Sequence, residues 1–208
     1  MEQPEKSVKR RLSADERQQE IVRVAMELAA RQGVDEVTTQ DMAQAMNLTQ
    51  GAIFRHFPTK DAIWLAAMRW VREQLMKVVE KAARGAVDPL DALERMFFAH
   101  LAFIGKHPAI PRLIFFDQLQ RKNPQLKQLI QEIVTGYEAR IASLLAEAKS
   151  VGLARADLDE KSAATLFIGM IQGLVIQSSI FGSARSINEQ ARLIFPIYLA
   201  GVRAPGKE

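Results

Sequence analysis

The chain has 208 residues, of which 48% are hydrophobic and 25% charged, a balance typical of a folded globular protein rather than a disordered one. It contains no cysteine, which excludes disulfide and thiolate chemistry. The formal net charge of +4 is compatible with an anionic partner but does not locate one, because residues 1–60 carry equal numbers of basic and acidic side chains.

The N-terminal residues are polar. Residues 1–12 are predicted to form a flexible basic arm, whose cations are Lys6, Lys9, Arg10 and Arg11. This stretch lacks the apolar run of a secretory signal, so we expect a cytoplasmic protein. A basic arm can enter the minor groove of DNA, but a short basic run is more often a solvated tail, and both interpretations stay open.

Capping signals predict one helix followed by two short ones. Ser13 and Glu16 form a capping box that begins the first helix. Thr38 begins a second, short helix, and Thr49 begins a third. Two short helices joined by a tight turn form a helix-turn-helix, whose second helix enters the major groove of DNA. Residues 13–62 are therefore predicted to be a DNA-binding domain.

Six further helices follow with the same apolar periodicity. They are predicted at residues 59–84, 88–106, 113–120, 123–151, 159–181 and 186–204. No alternating apolar and polar run of strand length occurs, and no repeat of fixed period. We therefore predict an all-α protein of about nine helices, with an N-terminal three-helix helix-turn-helix domain and a larger helical domain over residues 63–208.

The segment from Gly33 to Asp61, GVDEVTTQDMAQAMNLTQGAIFRHFPTKD, resembles the signature of the TetR family of bacterial transcription regulators. The matching residues are Gly33, Thr38, Thr39, Met42, Ala43, Leu48, Thr49, Gly51, Ile53, His56, Phe57 and Lys60. The resemblance implies a homodimer that binds a palindromic operator in double-stranded DNA. It also implies that the larger domain binds a small effector and mediates dimerisation, as in a ligand-released repressor.

The resemblance carries over ten DNA-binding positions, Thr39, Gln40, Thr49, Gln50, Gly51, Ala52, Phe54, Arg55, His56 and Lys60. It places Thr39, His56 and Lys60 at phosphates. Gln50 is expected to read a base, because its amide can form two hydrogen bonds with adenine. Gly51 lacks a side chain and so permits close approach of the backbone to DNA.

One position departs from the family pattern. The family usually has tyrosine where this chain has Phe54, and the tyrosine hydroxyl contacts a phosphate. Phenylalanine cannot make that hydrogen bond, which leaves contact with a sugar or a thymine methyl group. The neighbouring Arg55 could reach a phosphate or point into solvent, and Phe57 is expected in the core of the domain.

The resemblance also implies an effector cavity between the fourth and eighth predicted helices. Residues at helical spacings that could line it are Met68, Leu75, His100, Phe103, Phe116, Tyr137, Phe167 and Ile171. Ordinary core packing is the alternative for each of them. His100 and Tyr137 are the polar groups in this set, so a small apolar effector is favoured over a sugar or a phosphate.

The predicted helix 159–181 supports two interpretations. It has no charge from residue 163 onward and contains Gly169-x-x-x-Gly173, a dimerisation pattern of transmembrane helices. However, no tryptophan or tyrosine lies near either end. In a TetR-like protein the same helix packs in the dimer interface, where Gly169, Gly173 and Ile176 would lie. We favour the homodimer without membrane contact. The alternative is a membrane-associated helical protein that dimerises through this helix.

An enzyme is the remaining alternative. The chain has three histidines, and neither HExxH spacing nor a glycine-rich phosphate loop occurs. Ser178 and Ser179 lie in an apolar helix with no histidine nearby in the sequence. We therefore expect no catalytic activity, no cofactor and no metal.

Overall fold

The computed structural model describes residues 12–115, 123–182 and 186–205, and within these residues it contains nine helices. They are α1 (Ala14–Gln32), α2 (Thr39–Ala45), α3 (Gln50–Phe54), α4 (Lys60–Ala83), α5 (Pro89–Lys106), α6 (Ala109–Phe115), α7 (Pro124–Ser150), α8 (Glu160–Phe181) and α9 (Ile187–Val202). The prediction of an all-α protein is confirmed. The basic arm up to residue 11 and Phe116 lie outside the described residues.

The helix ends follow the predicted capping signals. The Ser13 backbone N–H donates to Glu16 at 2.8 Å, and the Glu16 N–H donates to the Ser13 hydroxyl at 3.1 Å. Thr38 and Asp41 form a second reciprocal pair at the start of α2. The turn between α2 and α3 passes through Asn47 at a φ of 52°, a conformation that asparagine tolerates better than most residues.

Helix α6 begins earlier than predicted. The sequence places its start near Leu113, after Pro108 and Pro111, but the helix begins at Ala109. Pro111 therefore lies in the first turn, where a backbone N–H has no partner within the helix and its absence costs little. The end predicted at residue 120 lies outside the described residues.

Helices α1 to α3 and the start of α4 form a small head around a shared apolar core. The buried residues of this core include Ile21, Ala25, Ala29, Val37, Met42, Ile53, Phe57 and Ile63. Phe57 is buried, as predicted. Helix α4 continues without a break from the head into the larger domain, so the boundary predicted at residue 62 falls within this helix.

Two polar contacts join the head to the larger domain. The Arg112 guanidinium of α6 donates to the backbone carbonyl of Ala29 at 3.0 Å, near the C-terminal end of α1. The Asn123 amide donates to the carbonyl of Asp61 at 3.4 Å. Buried apolar residues of the head and of the larger domain also form one continuous cluster. The position of the head is therefore coupled to α6 and to the start of α7.

The larger domain packs around Phe97 of α5, which is fully buried. Its ring centroid lies 5.4 Å from Phe98, 5.5 Å from Phe167 and 4.9 Å from Phe195. Tyr198 closes this cluster by donating its hydroxyl to the carbonyl of Ala163 at 3.1 Å. Helices α5, α8 and α9 are thus held together by one aromatic cluster.

Replacing Phe97 by alanine removes the ring at the centre of this cluster. We expect Phe97→Ala to lower the free energy of unfolding by about 3–5 kcal/mol, because burial is lost and a cavity remains. Urea denaturation at a fixed protein concentration measures the change. Val87→Ala is the control, since Val87 is 85% exposed and its truncation should change the free energy by less than about 0.5 kcal/mol. Equal effects of the two variants would contradict the central role of Phe97.

Candidate functional site

The residues predicted to bind DNA lie on α2, on α3 and its flanking turns, and at the start of α4. Thr39 is nearly buried, with 8% of its surface exposed. The other nine retain more accessible surface: Gln40, Thr49, Gln50, Gly51, Phe54 and Arg55 are exposed, and Ala52, His56 and Lys60 are half-buried. The buried Ile53 anchors α3 to the head, so that the exposed side of this short helix faces outward. Helix α3 thus presents the predicted reading residues to solvent.

Gln50 is held in place by Thr39. Its amide nitrogen donates to the Thr39 hydroxyl at 2.7 Å, a contact between the first residues of α3 and α2. A glutamine amide has two N–H groups and one carbonyl oxygen. One N–H and the carbonyl of Gln50 therefore remain for a base, which is the pair that adenine requires in the major groove. The predicted phosphate contact of Thr39 stays a prediction, but positioning Gln50 is a role that the sequence alone did not indicate.

Gly51 is not required by the packing of the free protein. A Cβ atom built there would meet only the Thr49 hydroxyl, at 4.0 Å. Thr49 itself caps α3, because its hydroxyl accepts from the Ala52 N–H at 3.2 Å. The glycine is therefore explained better by the close approach of a partner than by crowding within the chain.

Lys60 braces the loop before α2. Its ammonium group donates to the backbone carbonyl of Asp35 at 3.1 Å. Partial burial lowers the pKa of Lys60, and the nearby carboxylates of Asp35, Asp61, Asp41 and Glu36 oppose that shift. Lys60 thus joins the start of α4 to the loop between α1 and α2, and its phosphate contact stays a prediction.

The start of α1 is tied to the end of α3. The Gln18 amide donates to the backbone carbonyl of His56 at 3.2 Å. Phe54, one helical turn into α3, is 43% exposed, a large apolar side chain on the surface that would face DNA. The exposure of Phe54 fits the predicted contact with a sugar or a thymine methyl group.

The residues predicted to line an effector cavity fall into two groups. The His100 and Tyr137 rings lie 5.3 Å apart, and the Tyr137 and Phe167 rings 6.4 Å apart, at the centre of the larger domain. Phe103 lies closer to the head, with its ring 4.8 Å from His107. The other described members of the predicted set, Met68, Leu75 and Ile171, are buried apolar residues. The sequence prediction missed Phe97, which precedes His100 by three residues and shares its helix face.

The central group contains polar atoms without a partner. Within the part of the chain that the structure describes, neither His100 Nδ1 nor the Tyr137 hydroxyl has a hydrogen-bond partner, and both atoms are buried. Burial lowers the pKa of His100 to about 4 and raises the pKa of Tyr137. His100 is therefore neutral at physiological pH. Trp64 Nε1, on α4, is likewise buried without a partner in the described residues.

Two surface grooves border the head. One has a volume of about 690 Å³ and lies between α1 and the corner of α5 and α6, with Trp70 and His107 in its wall. The other, of about 420 Å³, lies between the α1–α2 loop and α8, and Ile176 lines it together with Val34 and Phe115. Ile180 lines this groove as well, and both isoleucines lie on the face of α8 that contains Gly169 and Gly173, so the interface role of Ile176 stays a prediction. Among the described side chains, no group of histidine, aspartate and glutamate could hold a metal ion.

The outer faces of α8 and α9 are apolar and exposed. Leu166 and Ile180 of α8 are exposed, as are Leu193 and Ile197 of α9 at 66% and 73%. On α8, Leu166 and Ile180 share a stripe with Gly169, Met170 and Gly173. A groove of about 670 Å³ runs between the two helices on this side. Such a surface marks a binding interface.

Helix α8 is also long and apolar enough to cross a membrane. It has 22 residues, and its most apolar stretch has a mean hydropathy of 1.6. Of the residues in that stretch, 33% are buried inside the protein. The buried side of α8 contacts the aromatic cluster through Phe167. Core packing on one side and an interface on the other account for the same composition.

Comparison with known proteins identifies both halves of the chain. The family model of bacterial regulatory proteins of the tetR family matches residues 21–67. The model of the tetracyclin repressor-like C-terminal domain matches residues 117–194. Together the two models cover more than half of the chain, including the whole helix-turn-helix.

Similar proteins match over almost the full length. The nucleoid occlusion factor SlmA of Haemophilus ducreyi is 26% identical over 200 residues, which are 94% of this chain and 96% of that protein. A putative transcriptional regulator from Saccharomonospora viridis, solved in complex with choline, has a TM-score of 0.83 at 21% identity, covering 92% of this chain and 100% of that one. The transcriptional regulator FadR from Bacillus subtilis, in complex with stearoyl-CoA, has a TM-score of 0.77 at 18% identity, covering 89% of this chain and 99% of that one.

The two family models and the described helix-turn-helix agree, and they favour a DNA-binding regulator over a membrane-associated protein. The chain belongs to the TetR family, whose members are DNA-binding transcriptional regulators.

Proposed function

We propose that this chain is a homodimeric repressor that reads a palindromic operator and releases it when a small apolar molecule binds inside the larger domain. In this proposal it acts in the cytoplasm by binding and not by catalysis. One observation carries the DNA-binding part: Gln50 lies exposed at the start of α3, with its amide held by Thr39. A side chain already fixed before DNA arrives loses less conformational freedom on binding, which favours specific readout.

Selection of bound sequences from random DNA tests the proposal directly. A two-fold dimer places two α3 helices one helical turn of DNA apart, or a multiple of it. The selected sequences should therefore be palindromic, with half-sites about 10 base pairs apart or at a multiple of that spacing. Selection of sequences without two-fold symmetry, or of no preferred sequence, would contradict the proposal.

Substitutions at Gln50 and Thr39 test the readout. We expect Gln50→Ala to cost about 1–3 kcal/mol on the selected operator and to relax the preference at one base pair in each half-site. Thr39→Val should weaken the same base preference by a smaller amount, because Gln50 stays but loses its restraint. Fluorescence anisotropy with the operator and with a copy changed at that base pair measures both effects. Gln131→Ala, on the exposed side of α7, is the control. The assignment fails if Gln50→Ala weakens binding to random DNA by the same factor as binding to the operator.

The exposed stripes of α8 and α9 support the homodimer. Leu166, Ile180, Leu193 and Ile197 are all large apolar residues on one side of the molecule. Covering them with the same stripes of a second copy forms a four-helix interface and removes the exposed apolar surface from water. Gly169 and Gly173 lie within this surface and would let the two α8 helices approach closely.

A bulky side chain at Gly173 tests the interface. A Cβ atom at this position meets nothing within 4 Å in the protomer, so leucine fits the isolated chain and only a partner can exclude it. We expect Gly173→Leu to shift the protein from dimer to monomer in analytical ultracentrifugation at micromolar concentration. Gly136→Leu on α7 is the matched control, because its added Cβ also meets nothing within 4 Å. A dimer of unchanged stability in both variants would rule out this interface.

The connection between effector and DNA runs through α4 and α6. Helix α4 begins at Lys60 in the head and continues past Leu75 in the larger domain, a span of about 36 Å for its 24 residues. Arg112 of α6 holds the end of α1. A ligand that favours a different tilt of these helices would change the separation of the two heads. By linkage, operator DNA must then weaken ligand binding by the same factor.

The Arg112 contact provides a test that needs no ligand. We expect Arg112→Ala to weaken operator binding at least about fivefold, because the head loses a charged hydrogen bond that fixes its position. The loss should be the same on operators altered at single base pairs, since Arg112 reads no base. Arg95→Ala is the control, because Arg95 pairs with Asp91 on the surface of α5. Anisotropy titrations of both variants measure the difference, and unchanged affinity in Arg112→Ala would contradict this path.

The match to SlmA supports a second candidate function, since it spans nearly all of both chains. In that case the protein would bind DNA to act in nucleoid occlusion. A deletion strain separates the two functions. Septa placed over the nucleoid would favour nucleoid occlusion, whereas transcript changes restricted to genes beside the selected operators would favour the repressor.

A further inference from the structure

The buried hydroxyl of Tyr137 has no hydrogen-bond partner within the described residues, although only 2% of this residue is exposed. His100 Nδ1, whose ring lies 5.3 Å away on the facing helix, is in the same situation. Most buried polar groups in folded proteins are hydrogen-bonded, because an unsatisfied group loses its bonds to water and gains none in return. Two such atoms on neighbouring rings of α5 and α7 indicate a polar group that is supplied from outside the chain.

A second tyrosine of the same interior shows the contrast. Tyr198 is 4% exposed, and its hydroxyl donates to the Ala163 carbonyl at 3.1 Å. Both tyrosines contact the ring of Phe167, at 6.4 Å for Tyr137 and 5.8 Å for Tyr198. The two tyrosines are therefore buried to a similar extent but differ in whether the described residues offer the hydroxyl a hydrogen-bond partner. The described residues provide a hydrogen-bond partner for the Tyr198 hydroxyl and none for the Tyr137 hydroxyl.

The surroundings of the pair disfavour a charged ligand group. Both unsatisfied atoms are buried, and burial lowers the pKa of His100 to about 4 and raises the pKa of Tyr137. Burial in this interior therefore disfavours a charge on either ring. Moving an unpaired charge into such an interior is costly, whereas a neutral hydroxyl can be satisfied by hydrogen bonds.

We propose that the effector is an uncharged molecule with an apolar body and a hydroxyl group that bonds to Tyr137 and His100 together. This rests on the effector site of the proposed function. The hydroxyl accepts from Tyr137 and donates to His100 Nδ1, and because a hydroxyl both donates and accepts it also serves the other tautomer of the neutral imidazole. The apolar body packs against Phe97 and Phe167. The quaternary ammonium group of a molecule such as choline would lose its hydration in this buried site and could not form either hydrogen bond.

Thermal unfolding tests the unsatisfied state of Tyr137 without any ligand. We expect Tyr198→Phe to lower the Tm by about 2–4 °C, because it removes a hydrogen bond that the fold makes. Tyr137→Phe should leave the Tm unchanged or raise it, because it removes a buried hydroxyl that has no partner. A loss of Tm in Tyr137→Phe as large as that in Tyr198→Phe would overturn the proposal, since the hydroxyl would then have a structural partner.

Three probes with the same alkyl chain test the ligand class: decanol, decanoate and decylammonium. Isothermal titration of the dimer should give at least about tenfold tighter binding of decanol than of either ion. Tyr137→Phe should weaken decanol binding about three- to tenfold, because one hydrogen bond is lost. Tyr198→Phe should leave decanol binding unchanged. Equal binding of an ion, unchanged decanol affinity in Tyr137→Phe, or no binding of the three probes would overturn the proposal.

Operator binding by the same preparations distinguishes failure of the proposed repressor function from failure of the uncharged-effector assignment. If the protein shows no sequence-specific DNA binding, the proposed repressor function fails whatever the probes do. If it binds its operator but prefers a charged probe, only the assignment of an uncharged effector fails.

Discussion

Helix α4 is shared by the DNA-reading head and the larger domain, and this constrains both. Its first turn is fixed by the bond from Lys60 to the Asp35 carbonyl, and its later turns are fixed by burial of Met68 and Leu75. A helix resists bending because each turn is closed by its own hydrogen bonds. A displacement at one end of α4 is therefore transmitted to the other. Arg112 adds a second connection from α6 to the end of α1.

The interior of the larger domain combines strong apolar packing with unsatisfied polar atoms. The rings around Phe97 supply packing that does not depend on a ligand. Beside them, Tyr137 and His100 carry buried polar atoms that lack partners in the described residues. The stability from the first group can offset the cost of the second, which is the pattern expected where a site is kept ready for a ligand.

The composition of α8 is explained by its two different faces. Phe167 and Ile171 turn inward, whereas Leu166 and Ile180 turn outward. A helix that is apolar all round is expected when both faces are covered by protein, and the same composition suits a membrane span. The arrangement in the fold distinguishes the two cases, because α8 contributes its inner face to the core and shares its outer apolar surface with α9.

The sequence by itself determined the helices, their caps and the position of the reading helix. The capping boxes at Ser13 and Thr38 are local, since donor and acceptor lie three residues apart, and such signals can be recognised without knowing the fold. The family signature is likewise contained in one continuous segment. The start of α6 was the exception, because proline is tolerated in the first turn of a helix and so does not mark its boundary uniquely.

Only the tertiary structure decided which distant side chains meet. Thr39 and Gln50 are 11 residues apart, and Arg112 and Ala29 are 83 apart, and neither spacing predicts a contact. The same holds for Tyr137 and Tyr198, which have the same side chain but differ in whether the described part of the chain brings a hydrogen-bond acceptor within reach. Periodicity reports which face of a helix is buried, but the partner of each buried group depends on how the helices pack against one another.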